Sequence, residues 1–117
     1  MDAIERETEK SVDSVEIQKN LISEPILEAA ADCLKVMAHP VRLRIVNILM
    51  MGEFPVHEIA ALSRATPNQA CEHLRLLKGH GLLTSLRKGR TVYYKIISPQ
   101  LPGLLECIQK NCTVENA

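Results

Sequence analysis

Apolar positions recur at helical spacing from residue 26 onward. Ile26, Leu27, Ala30, Ala31, Leu34 and Met37 follow Ser23-Glu24-Pro25, a capping serine with proline in the first turn, and predict a helix to about Met37. His39-Pro40 interrupts that pattern and opens a second helix, in which Pro40 is near the first helical position and His39 is placed to cap. Val41, Leu43, Ile45, Val46, Ile48, Leu49 and Met50 make this helix apolar almost all round, so it belongs at the centre of the core; Gly52 ends it. Pro55 opens a short third helix from Val56 to Leu62, followed by a tight turn at Ser63-Arg64-Ala65. Thr66-Pro67-Asn68-Gln69 then reads as a capping box, with Thr at the cap, Pro in the first position and Gln three residues after the cap; this fourth helix runs to Lys78 and stops at Gly79-His80-Gly81.

The period then changes from helical to two. Leu82 to Leu86 and Thr91 to Ile97 are extended runs, with Val92, Tyr94 and Ile96 alternating with Tyr93, Lys95 and Ile97, and Arg87-Lys88-Gly89-Arg90 joins them. A last helix covers residues 100 to about 111, introduced by Pro99. Residues 1–22 show neither period and are expected to be a mobile arm holding at most one short helix; 23–112 form the folded domain and 113–117 a tail. Two short helices joined by a three-residue turn, followed by a hairpin with a basic tip, define the fold class: mainly α with a small β-hairpin, a winged helix-turn-helix.

Composition narrows the class without changing the fold. The chain has 117 residues, 46% hydrophobic and 24% charged, enough to bury one core and too apolar for disorder throughout. It has no run of about 18 apolar residues to span a membrane, and no basic and apolar leader at Met1-Asp2-Ala3-Ile4-Glu5-Arg6-Glu7, so a cytoplasmic chain with no membrane partner is expected. Phe54, Tyr93 and Tyr94 are the only aromatics, which leaves an aliphatic core. The formal net charge of zero hides a partition. Residues 1–40 hold nine acids and four bases, a net of −5, and the rest of the chain carries the matching +5. From Arg64 to Lys95 there are seven bases against Glu72 alone. That stretch suits a polyanion.

Double-stranded DNA fits best. The major groove admits one helix, whose N-terminal side chains meet base edges, while a cationic hairpin tip neutralises phosphates. At 100° per residue Ala70, Leu74 and Leu77 share one inward stripe, whereas Asn68, Gln69, Glu72 and Arg75 point outward. Asn and Gln read adenine and Arg reads guanine or grips phosphate. The candidate DNA-binding set is Thr66, Asn68, Gln69, Cys71, Glu72, His73, Arg75, Arg87, Lys88 and Arg90. A polar outer face also suits a merely solvated helix; the basic tip and the sharp capping favour DNA over that reading. Arg42 and Arg44 serve either phosphate contact or the solubility of a buried helix's exposed edge.

The combination of Leu34-Lys35-Val36-Met37-Ala38-His39-Pro40-Val41-Arg42-Leu43-Arg44-Ile45, Glu58-Ile59-Ala60, Cys71-Glu72-His73-Leu74, Gly81-Leu82-Leu83 and Gly89-Arg90-Thr91-Val92-Tyr93-Tyr94 resembles the ArsR/SmtB family of bacterial repressors over roughly residues 24–112. The resemblance implies a homodimer paired mainly through the first and last helices, and repression of an operon relieved when an inducer binds or modifies the protein. A dimer also makes mechanical sense, because one short helix reads few base pairs and two-fold symmetry reads a palindrome. The family often has Ser-Gln-His-Leu where this chain has Cys71-Glu72-His73-Leu74. Glu72 repels phosphate but accepts from cytosine N4, and Cys71 either fills space or is a thiol whose modification blocks DNA.

The family's classical metal sites have no counterpart here. Pro55-Val56-His57 stands where one group carries Cys-Val-Cys, and Ser98-Pro99-Gln100 and Asn111-Cys112-Thr113-Val114 lack the zinc sensors' ligands. Sulfur remains. Cys33 lies in the first helix and Cys107 and Cys112 in the last, the two helices that the resemblance assigns to dimerisation. Cys107 and Cys112 are about 140° apart on an ideal helix, too divergent for easy chelation, so Cys33 of the same or the other subunit is the natural third party. Three readings stay open: small hydrophobic packing residues, a thiol switch for oxidant or reactive sulfur, and a site for a thiophilic metal or for arsenite. No cofactor is certain. The competing functions are a repressor with no inducer site of its own and a winged-helix module that contacts only protein. An enzyme is not expected, since no nucleophile–base–orienter set or phosphate-cradling glycine loop appears.

Overall fold

The computed structural model describes residues 13–112 and divides the chain into two compact units, residues 1–31 and 32–117. Residues 1–12 of the expected arm and the expected tail at 113–117 lie outside the described residues. In the first unit, α1 (Ser14–Asn20) is the short helix that the arm was allowed, capped by Asp13, whose carboxylate accepts from the Val15 N–H at 3.2 Å. It buries none of its residues. Next along the chain is α2 (Glu24–Met37), whose last six residues belong to the second unit.

The second unit is built around α3 (Pro40–Leu49), as the all-round apolar pattern requires: Ile45 and Val46 are completely buried. His39 caps it, its Nδ1 accepting from the Val41 N–H at 3.1 Å. Around it pack α4 (Val56–Ser63), α5 (Pro67–Gly79) and α6 (Leu101–Asn111). Val36, Met37, Ile59, Leu74, Leu77, Leu82, Leu83, Leu101 and Leu105 complete one aliphatic core. Leaving such side chains in water would cost about 1.5–3 kcal/mol each.

The sheet has three antiparallel strands in the order β1-β3-β2, one more than the sequence predicts. β1 (Phe54–Pro55) pairs with β3 (Thr91–Ile96) through Phe54 opposite Tyr94, and β3 pairs with β2 (Leu83–Lys88) from Leu83 opposite Ile96 to Lys88 opposite Thr91. Two residues at the end of a helix–helix connection carry no period, so β1 was invisible to pattern. The hairpin is also tighter than expected. Arg87 and Lys88 belong to β2, and only Gly89-Arg90 form the turn, with Gly89 at φ +67°, the positive value that such two-residue turns demand.

Candidate nucleic-acid interface

The turn between α4 and α5 sets the geometry. Arg64 closes α4 in a left-handed conformation at φ 59°, its N–H bonded back to Ala60 and Ala61, and Ala65 donates to the Ala60 carbonyl at 3.0 Å. An arginine held there costs about 1 kcal/mol relative to a glycine, so the turn is maintained by what surrounds it. Buried Ser63 helps, donating its hydroxyl to the Ile59 carbonyl at 2.6 Å.

α5 then begins on a complete capping box: the Gln69 N–H reaches Thr66 Oγ1 at 3.1 Å, and the Thr66 N–H reaches Gln69 Oε1 at 3.0 Å. Ala70, Leu74 and Leu77 are wholly buried on its inner stripe, and Asn68, Gln69, Glu72 and Arg75 are exposed on the outer one. The box has a consequence for recognition. Gln69 Oε1 accepts from the Thr66 N–H, which fixes the orientation of its amide and leaves one lone pair and both Nε2 hydrogens for a base, whereas Asn68 makes no such bond among the described side-chain contacts. Cys71 and His73 are half-buried, and His73 faces Arg42 and His39 rather than the outer stripe.

In the wing, Lys88, next to the turn, is held by an acidic partner, and its neighbours Arg87 and Arg90 are not. Lys88 Nζ sits 2.7 Å from Glu53 Oε1 and 5.1 Å from the centre of the Tyr93 ring. The bond with Lys88 lowers the Glu53 pKa and raises that of Lys88. Arg87 and Arg90 are exposed and pair with no carboxylate among the described residues. Two residues not among the sequence candidates belong to this region. Lys78 donates to Ser85 Oγ at 2.7 Å, joining α5 to β2, and Glu53 holds Lys88. Neither carries a motif, and both follow from a sheet register that only the fold supplies.

A shallow cleft of about 300 Å³ is lined by Pro55, Val56, His57, Pro67, Arg90, Thr91 and Val92. It brings the first turns of α4 and α5 and the turn of the wing to one place. Val56 and His57 of α4 and Pro67 of α5 therefore lie beside Arg90, whose guanidinium, unpaired among the described residues, suits a phosphate.

The sulfur candidates are not gathered in the same way. Cys33 is half-buried against the core, Cys107 and Cys112 are exposed, and all four cysteines, Cys71 included, are free thiols. Among the described residues no group of three or more His, Cys, Asp or Glu side chains is arranged to hold a metal ion. Within one chain, then, Cys33, Cys107 and Cys112 do not form a three-ligand metal site. No described helix is long and apolar enough to cross a membrane.

Comparison with known proteins decides the family. The transcriptional repressor PagR of Bacillus anthracis is 34% identical over 83 residues, covering 70% of this chain and 83% of PagR. The HTH-type transcriptional repressor SmtB of Mycobacterium tuberculosis is 36% identical over 80 residues, 68% of this chain. The chain belongs to the ArsR/SmtB family. Its match spans 59% of the length of that SmtB. No family model matches the chain. In structure this ArsR/SmtB member is similar to a solution structure from Mycobacterium bovis, with a TM-score of 0.69 and 28% identity over 80% of this chain and 89% of that one; it is described as the homodimeric winged helix-turn-helix DNA-binding domain of Mb0332, a possible ArsR-family transcriptional regulator. The winged helix-turn-helix fold expected from the sequence is therefore the fold of the family.

Proposed function

We propose that the protein is a homodimeric transcriptional repressor that binds a palindromic operator in double-stranded DNA. What carries the reading is the convergence at the cleft: the N-terminal turn of α5, with Asn68 exposed, lies beside the wing turn that offers Arg90. In this reading α5 enters the major groove, Asn68, Glu72 and Arg75 meet base edges, and Arg87 and Arg90 grip phosphates. The Mycobacterium bovis relative is described as homodimeric and DNA-binding, which supports the same assembly here. The apolar side chains exposed on α2 give a second copy a surface to cover, with Leu27 49% and Leu34 54% exposed. Such a regulator acts in the cytoplasm, where the operator is.

Selection from a randomised duplex pool with the purified chain tests this. An enriched inverted repeat whose half-sites lie about one helical turn apart supports it. Recovery of no consensus, or of a single half-site bound by one chain, sinks the palindromic dimer.

Release from DNA is proposed to run through the cysteines on α2 and α6. Free, exposed thiols at Cys107 and Cys112 support a thiol switch, with an oxidant or reactive sulfur species as the co-reactant. A thiophilic ion would need ligands from two subunits, since one chain brings no three together. Release of the selected duplex by peroxide, persulfide or arsenite is expected to disappear when Cys33, Cys107 and Cys112 are all replaced by serine. If the triple variant still lets go under the same reagent, Cys33, Cys107 and Cys112 are not the sensor.

A further inference from the structure

At the corner between α2 and α3, three side chains join segments far apart in sequence. Arg42, in the first turn of α3, donates from Nε to the Val36 carbonyl in the last turn of α2. Its Nη1 lies 3.2 Å from His73 Nδ1 on α5. The His39 ring, whose Nδ1 receives the Val41 N–H, is 4.7 Å from the His73 ring, centre to centre. Arginine only donates, so both imidazoles accept at Nδ1 and carry their proton on Nε2. A second proton on His73 would occupy Nδ1, the atom that faces the guanidinium. The hydrogen bond would be lost and two cations would stand at van der Waals range.

Resting on the DNA-binding reading above, we propose that Arg42, His73 and His39 form a proton-sensitive tether that positions α5, closed while His73 is neutral and released when it is protonated. Arg42 is then a positioning residue: it connects the end of α2 to the middle of the recognition helix. The titratable and charged groups that act on the ring are His39 from the α2–α3 corner, Arg42 from α3 and Glu72 from α5 itself. α4 and β2 also pack on α5, but their titratable residues (His57, Glu58, Arg87 and Lys88) are exposed and none is among the groups that act on the ring. Burial, then His39 and Arg42, push the His73 pKa below the ordinary imidazole range, against the opposing pull of Glu72. The sign follows. A base whose folded pKa is depressed binds fewer protons folded than unfolded, so its contribution is complete above about pH 6.5 and is lost as pH falls below that value.

The test uses the full chain. Imidazole titration by NMR and amide hydrogen exchange of residues 74–78 are followed from about pH 7.5 to about pH 5.5. After correction for intrinsic exchange, the wild type is expected to exchange about tenfold faster at the acid end. His73→Asn keeps an acceptor oxygen for Arg42 but cannot titrate, so its exchange should show no acid step. Arg42→Ala should exchange fast at both ends. Affinity for a duplex selected at the higher pH is expected to fall about tenfold in the wild type across this range. In His73→Asn, whatever its starting affinity, the ratio should stay near one. An equal acid step in wild type and His73→Asn, or His73 titrating at the ordinary imidazole value, overturns the tether. An exchange step with no matching change in affinity overturns its coupling to DNA. If no duplex is ever selected, the regulator reading fails, and titration and exchange still decide the tether.

Discussion

α5 and α2 are both amphipathic, and they expose opposite things. α5 buries Ala70, Leu74 and Leu77 completely and exposes the polar side chains of Asn68, Gln69, Glu72 and Arg75. α2 buries Val36 and Met37 and leaves Ile26, Leu27 and Leu34 about half exposed. A polar face beside unpaired arginines loses little by standing in water and gains from a polyanion, mostly through released counterions. A row of half-exposed leucine and isoleucine is unfavourable in water and gains only when apolar surface covers it. The two helices therefore suit two kinds of surface: a polyanion for α5, further apolar surface for α2.

The largest expected effect is on the apolar side. Leu27→Glu combined with Leu34→Glu places two carboxylates where a partner should pack, and dimer dissociation should strengthen by about a thousandfold, or ~4 kcal/mol. Sedimentation equilibrium measures this, and a double variant that stays dimeric at low micromolar concentration removes α2 from the interface. Leu74→Ala, on the inner stripe of α5, should cost about 3 kcal/mol in urea unfolding, against less than about 0.5 kcal/mol for the exposed Arg75→Ala. Equal losses would mean that the two faces of α5 are not distinct.

On the wing, Arg87→Ala and Arg90→Ala should each weaken binding to every duplex alike and reduce the slope of log affinity against log salt by about one. A loss confined to one sequence would make them base readers instead. The smallest effect belongs to Glu53→Gln, which releases Lys88 from its 2.7 Å ion pair. Non-specific DNA binding should tighten by about twofold, with the salt slope rising by less than one. Weaker binding in this variant would show that Glu53 holds the wing in its working position.

The elements that the sequence reveals are those with a strong period or strong punctuation. The capping box at Thr66 and Gln69 and the cap at His39 are present as expected, because both depend on residues within a few positions of each other. The buried centre of α3 is legible for the same reason. β1 is not, since Phe54-Pro55 becomes a strand only by lying against Tyr93 and Tyr94, about forty residues later. The wing shows the same limit: Arg87, Lys88 and Arg90 read alike in sequence, yet Lys88 has Glu53 as a partner and the two arginines do not. Gln69 has two chemically sound uses, cap and base reader, and only the folded geometry shows its oxygen on the Thr66 N–H. His73 is likewise drawn to Arg42, 31 positions away, by a contact without local pattern.

The claim on which the account rests is that the outer face of α5 and the tip of the wing bind one duplex together. The most direct measurement is the equilibrium affinity of the purified chain for its selected duplex as a function of salt, with the number of chains per duplex determined in the same titration. Two chains per duplex, a steep fall in affinity with rising salt and a shallower fall in the Arg87→Ala, Arg90→Ala double variant are the predicted result. An affinity indifferent to salt, or a slope unchanged by losing both arginines, would contradict it.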